Sequence, residues 1–128
     1  MERFDDACPI RLGDTWQHVS RFTNVSGPPE PFSDNGRPKG FRWRFEEQGL
    51  WIFLDDALRV RSMRFDPPFR GRVDGVAIGD PALNVLRVKG RPSRKWPVAD
   101  GVRRWLYDRG AFMRVDFDEA DLVETIFV

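Results

Sequence analysis

The sequence holds one cysteine, Cys8, and one histidine, His18. A single thiol cannot close an internal disulfide, and one thiol with one imidazole cannot build a Cys/His metal cage. No run approaches the roughly 18 uncharged apolar residues that a membrane-spanning helix needs. The opening residues, Met1-Glu2-Arg3-Phe4-Asp5-Asp6, have neither a basic n-region nor an apolar h-region, so the expectation is no secretory signal and a cytoplasmic chain. An excess of one charge is also missing. Lys+Arg number 21 and Asp+Glu 20, a net charge of +1, so no global field advertises a nucleic acid or a membrane. Gly13 and Gly79 stand alone, outside any GxGxxG or P-loop, which leaves nucleotide binding without support.

What is present is a composition that folds, 41% hydrophobic and 32% charged over 128 residues, and an internal repeat. Ile10-Arg11-Leu12-Gly13-Asp14 returns as Val76-Ala77-Ile78-Gly79-Asp80. Val19 and Val85 follow each glycine at the same distance, and each copy reaches a Gly-x-Pro, at Gly27 and at Gly90. Later come Phe41-Arg42-Trp43-Arg44-Phe45 and Arg103-Arg104-Trp105-Leu106-Tyr107, each followed by a glycine, Gly49 or Gly110. The last segments correspond at a constant offset of 63: Ile52, Leu54, Asp55, Val60, Met63 and Phe65 match Val115, Phe117, Asp118, Val123, Ile126 and Val128.

Asp14 and Asp80 stand where a helix N-cap belongs, and Pro81 suits the first helical position. The second helix is expected from about Pro81 to Val88, closed by Gly90. Trp16, Val19 and Phe22 form the apolar stripe of the first. Three strands are expected after each helix: Phe41 to Glu46, Leu50 to Leu54 and Leu58 to Phe65, then Val102 to Tyr107, Ala111 to Phe117 and Leu122 to Val128. Short connections make neighbouring strands antiparallel. The expected fold class is therefore α+β, two tandem αβββ repeats with an antiparallel sheet or sheets and helices on one face. Residues 1–128 form one domain, with repeats at about 10–65 and 76–128 and a connector at 66–75.

The pattern of Gly-Asp, Val, Gly-x-Pro, then Trp-x-Phe/Tyr and a strand resembles the tandem-repeat β-lactamase-inhibitory-protein-like family, whose unit is shared with SmpA/OmlA-type outer-membrane lipoproteins. The likeness runs over about Ile10 to Phe65 and Val76 to Val128. It implies a sheet that binds another protein. The chain lacks the lipobox cysteine and the paired cysteines of that family, which points to a reducing compartment. By class it resembles bacterial immunity proteins, so the implied partner is a cognate toxin domain and the implied action is occlusion, without a membrane partner.

Chemistry has little to stand on. His18 matches Asn84 in the repeat and reads as a polar surface or capping group, so no catalytic residue, metal ligand or cofactor is assigned. Asp116, Asp118, Glu119, Asp121 and Glu124 cluster around one turn, with Asp55 and Asp56 in the matching turn. Acids at hairpin tips are usually turn formers, and consecutive positions alternate faces. The expected protein-binding residues are Asp55, Asp56, Asp116, Asp118, Glu119 and Asp121 for charge, with Trp51 or Trp96 as an exposed anchor. Two other classes are weighed against this. Arg59, Arg61, Arg64, Arg70, Arg72, Arg87 to Lys95, Arg103 and Arg104, with Arg42, Arg44, Trp43, Trp96 and Trp105 nearby in the pattern, suit single-stranded RNA. Against it, the alternation of Arg42-Trp43-Arg44-Phe45 lines the solvent face with arginine and points tryptophan into the core. Paired acids suit a carboxylate-dependent hydrolase.

Overall fold

The computed structural model describes residues 10–22, 28–97 and 103–128; Cys8, Gly27 and Val102, used above, lie outside them. In chain order the elements are α1 (Trp16–Phe22), β1 (Glu30–Asp34), β2 (Arg37–Phe45), a 3-10 turn (Glu46–Gln48), β3 (Leu50–Leu54) and β4 (Val60–Phe65). They continue with β5 (Arg72–Val73), β6 (Val76–Ala77), α2 (Ala82–Lys89), β7 (Arg94–Pro97), β8 (Arg103–Tyr107), β9 (Met113–Phe117) and β10 (Val123–Phe127). Eight strands make one antiparallel sheet in the order β1-β2-β3-β4-β10-β9-β8-β7, and β5 pairs with β6 as a separate hairpin.

This overturns the expected α+β class: the architecture is mainly β. Among the described residues strand makes up 48% and helix 16%, and α1 and α2 are only 7 and 8 residues long. Among the described residues each helix fully buries one side chain, Val19 or Val85, which is too little to form a helical layer. Much of the remaining cover over the apolar side comes from irregular chain and the hairpin, through Ile10, Val73 and Val76. Each half also holds a strand that the αβββ pattern omitted. β1 and β7 carry Pro31 and Pro97, and both are sheet edges, where a missing N–H is tolerated.

The halves meet at one seam. Phe65 lies opposite Ile126 and Arg64 opposite Phe127, while Met63 and Val128 exchange backbone hydrogen bonds of 2.9 and 3.0 Å. Around the seam the backbone repeats itself. Gly13 N–H donates to the Val60 carbonyl at 2.7 Å, and Gly79 N–H to the Val123 carbonyl at 2.8 Å. Asp55 Oδ1 accepts from the N–H groups of Ala57 and Arg59 at 2.9 and 3.1 Å. Asp118 Oδ1 accepts from Ala120 and Leu122 at the same two distances.

Asp14 and Asp80 do not cap the helices. Each accepts from the N–H three residues earlier, Arg11 at 2.7 Å or Ala77 at 3.0 Å, and so fastens the turn before its helix. Pro81 is itself the N-cap residue of α2. His18 Nε2 lies 3.5 Å from Asp14, and Asn84 donates to Asp80 at 3.0 Å, so the two repeat partners face equivalent aspartates.

Strand alternation divides the sheet into two faces. Trp43, Ile52, Leu54, Met63, Phe65, Ile126, Val115, Phe117 and Trp105 turn to one side and are buried. Trp16 of α1 packs on this side, its ring 6.2 Å from Trp43. Burying a side chain such as Phe65 stabilises the fold by about 2 kcal/mol. Among the described residues no helix is long and apolar enough to cross a membrane.

Candidate interaction face

The opposite face is neither apolar nor simply solvated. Pairing registers place Arg44, Trp51, Arg64, Phe127, Arg114, Leu106 and Arg94 in one line, one residue from each of seven consecutive strands, β2 to β7. The line alternates cation and apolar group without a break. Arg44 and Arg64 place their guanidinium carbons 5.8 and 5.2 Å from the Trp51 ring centre. Arg64 is also 5.5 Å from the Phe127 ring, and Arg114 is 3.9 Å from it. Arg42, one row along, bridges Phe32 and Trp51 at 5.2 and 5.4 Å. A cation over an aromatic face gains about 0.5–1 kcal/mol when exposed and more when water is excluded. Six interstrand spacings of about 4.8 Å make the row roughly 29 Å long.

Carboxylates fix the arginine forks without burying them. Glu30 Oε1 accepts from Arg42 Nε at 2.9 Å and Arg44 Nε at 2.7 Å. The Arg42 hydrogen bond holds the Glu30 carboxyl below its usual range, with Arg44 adding to the effect. Asp66 accepts from Arg64 Nε at 2.9 Å and from the Thr125 hydroxyl at 2.9 Å. Asp116 takes Arg104 at 3.1 Å and Arg114 at 3.2 Å. Arg114 is partly buried: desolvation draws its guanidinium down from the ordinary arginine range, Asp116 opposes that, and its Nε has no hydrogen-bond partner among the described residues. Arg42, Arg44, Arg64, Arg94, Arg104 and Arg114 face Glu30, Glu46, Asp66 and Asp116, so the face is net positive.

The residues expected from sequence are dispersed by this topology. Trp51, Trp96 and Asp116 share the arginine face, Trp96 standing on edge strand β7 with 40% of its surface exposed. Asp55 and Asp118 spend Oδ1 on their own turns. Asp56 and Glu119 are exposed tips, and Asp121 pairs with Arg103 at 2.7 Å. Because β4 and β10 run antiparallel at the seam, the turn before β4 and the turn before β10 lie at opposite ends of the sheet. The two acidic turns therefore do not converge. Among the described residues no three His, Cys, Asp or Glu side chains are grouped to hold a metal ion.

Sequence reasoning passed over Arg114 and Phe127 as contacts. The signal was disagreement between the repeats: Trp51 matches Arg114, and Arg64 matches Phe127, at the offset where their neighbours agree. An alternating row that crosses a twofold-like seam must carry opposite types at equivalent positions. In comparisons with known proteins, no family model, no curated protein and no solved structure matches the chain.

Proposed function

We propose that this chain is a protein-binding inhibitor of the immunity type, which neutralises a toxin domain by laying the arginine face of its sheet across it. The observation that carries the reading is the alternating row from Arg44 to Arg94. A face of this width matches a standard interface, about 800 Å² per partner or about 28 Å on a side. Arg and Trp are the residues that most often dominate binding energy, and here their side chains are already stacked, so less ordering entropy is lost on association. The net positive face selects an acidic surface on the partner and speeds encounter with it. Asp56 and Glu119, exposed at the two ends, would add contacts only with a partner that spans the sheet.

The test is a titration of the purified chain against the toxin domain encoded beside its gene. Expected is a saturable complex that Arg64→Glu and Arg114→Glu each weaken at least tenfold, with growth of cells expressing the toxin rescued only by the binding-competent forms. No such neighbouring domain, no complex, or a complex indifferent to both reversals defeats the proposal.

The same row favours one other reading, a single-stranded RNA module. Stacking on bases needs open ring faces, whereas Trp51 is approached by three guanidinium groups and Phe127 by two. Saturable binding of an oligouridine that weakens steeply with salt would favour RNA over protein.

A further inference from the structure

A concave site lies on the other side of the sheet. Tyr107 belongs to the apolar face of β8, is 8% exposed, and lines a cavity of about 480 Å³ with Asp74, Lys89, Arg91, Ser93, Arg109 and Ala111. Two hydrogen bonds give this cavity its walls. The Tyr107 hydroxyl donates to the Gly90 carbonyl at 3.0 Å, tying down the turn after α2 that carries Arg91. Asp108 N–H donates to Ser93 Oγ at 3.2 Å, drawing that same segment to the turn that carries Arg109. One arginine thus comes from each of two tethered segments.

The charges do not cancel. Asp74 is paired with Lys89, whose ammonium also lies 5.7 Å from the Tyr107 ring. Arg91 and Arg109 have no carboxylate partner among the described residues, and both are exposed. Elsewhere most strand arginines are paired, on Glu30, Asp66, Asp116 or Asp121. Two uncompensated guanidinium groups over an aromatic floor focus positive potential into a recess. Ser93 has used its oxygen as an acceptor, which leaves its own proton free to donate. Planar forks and a hydroxyl donor suit the tetrahedral oxygens of a phosphoryl group, and Tyr107 with Ala111 offers contact to a small organic body attached to it.

We infer that this cavity binds a phosphorylated small molecule, its phosphoryl group between Arg91 and Arg109 and its body against Tyr107. The site is separate from the sheet face, so it stands or falls independently of the inhibitor reading.

Calorimetric titration of the full chain at fixed ionic strength with inorganic phosphate, ribose 5-phosphate and ribose tests it. Expected is saturable binding of both phosphorylated probes, with a dissociation constant on the order of 1 mM or tighter for ribose 5-phosphate, and none for ribose. Inorganic phosphate binding as tightly as the sugar phosphate would remove the assigned role of Tyr107 and overturn the small-molecule class. Arg91→Ala and Arg109→Ala should each weaken binding about tenfold, while Arg70→Ala, an exposed arginine of the connector, should leave it unchanged. No saturation by either phosphate probe, or equal losses from all three substitutions, overturns the site.

Discussion

Arg64 and Phe127 stand at the same position of the two halves, 63 residues apart in sequence. They face each other across the β4–β10 seam, with the guanidinium carbon 5.5 Å from the ring centre. The contact at the centre of the sheet is thus made by two repeat-equivalent residues of opposite chemistry. Its neighbours, Trp51 and Arg114, repeat the arrangement one strand further out on each side.

Trp51 should be the most sensitive member of the row. Trp51→Ala removes a half-buried ring and leaves three guanidinium groups without their stacking surface. The expected loss is about 2 kcal/mol, below the 3–5 kcal/mol typical of fully buried aromatics. Trp51→Phe should recover more than half of it, as read by urea denaturation. A cost near zero for Trp51→Ala would mean that the row adds nothing to stability.

The twin aspartate turns give a paired measurement. Asp55→Ala and Asp118→Ala each strip an acceptor from two backbone N–H groups held at matching distances. Each should cost about 1–2 kcal/mol. The double variant should cost their sum to within about 0.5 kcal/mol, because the turns lie at opposite ends of the sheet and share no contact. Asp→Asn at either site should cost less, since Oδ1 stays. Strong non-additivity in denaturation curves would contradict the placement of the turns.

Two glycines are fixed by close backbone approach. A Cβ on Gly40 would sit 2.1 Å from the Leu54 carbonyl oxygen, and one on Gly49 would sit 2.0 Å from that of Asp66. Alanine at either position should cost about 3 kcal/mol or more, or prevent folding. Gly79, at φ +90° with nothing within 4 Å, carries only conformational strain, so Gly79→Ala should cost about 1–2 kcal/mol. Melting temperatures of the three variants rank them.

Tyr107 is the single tyrosine in the sequence, so an ultraviolet absorbance titration reads it alone. Burial pushes its hydroxyl from 10.0 up to about 12 in the folded chain. Above the unfolded value the unfolded chain releases this proton while the folded chain keeps it. Stability supplied by the neutral, hydrogen-bonded phenol is therefore complete below about pH 10 and lost as pH climbs toward about 12. The midpoint should fall back toward 10 in concentrated urea. Tyr107→Phe should flatten this alkaline decline in stability. A midpoint near 10 in the native protein would remove the effect.

Legibility in the sequence followed the physics of each segment. Leu50 to Leu54 was read as a strand and is one, with those bounds. Phe41 to Phe45 announced its faces by alternation, and Trp43, between Arg42 and Arg44, is buried as that pattern implies; Trp105, between Arg104 and Leu106, is buried at the matching position. In Leu50-Trp51-Ile52-Phe53-Leu54 every residue is apolar, so periodicity could not say that Trp51 points toward the arginines. Glu30 to Asp34 and Arg94 to Pro97 have weak strand propensity and contain proline, which hid two edge strands and tilted the reading toward α+β. The acidic turns were recognised as equivalent. Their separation depends on which strands meet at the seam, a non-local fact that no local pattern carries.

The seam has a kinetic consequence. Pairing within each four-strand meander joins residues close along the chain, whereas Phe65 must find Ile126 after a long excursion. Loop closure of that length is slow compared with hairpin formation, so the two meanders assemble first and zip together last. Whenever the zip is open, β4 and β10 present bare edges of matching register. In a crowded solution of newly made chains a sister molecule can supply the missing edge, and strand-exchanged dimers are the misassembly to which this topology is most prone.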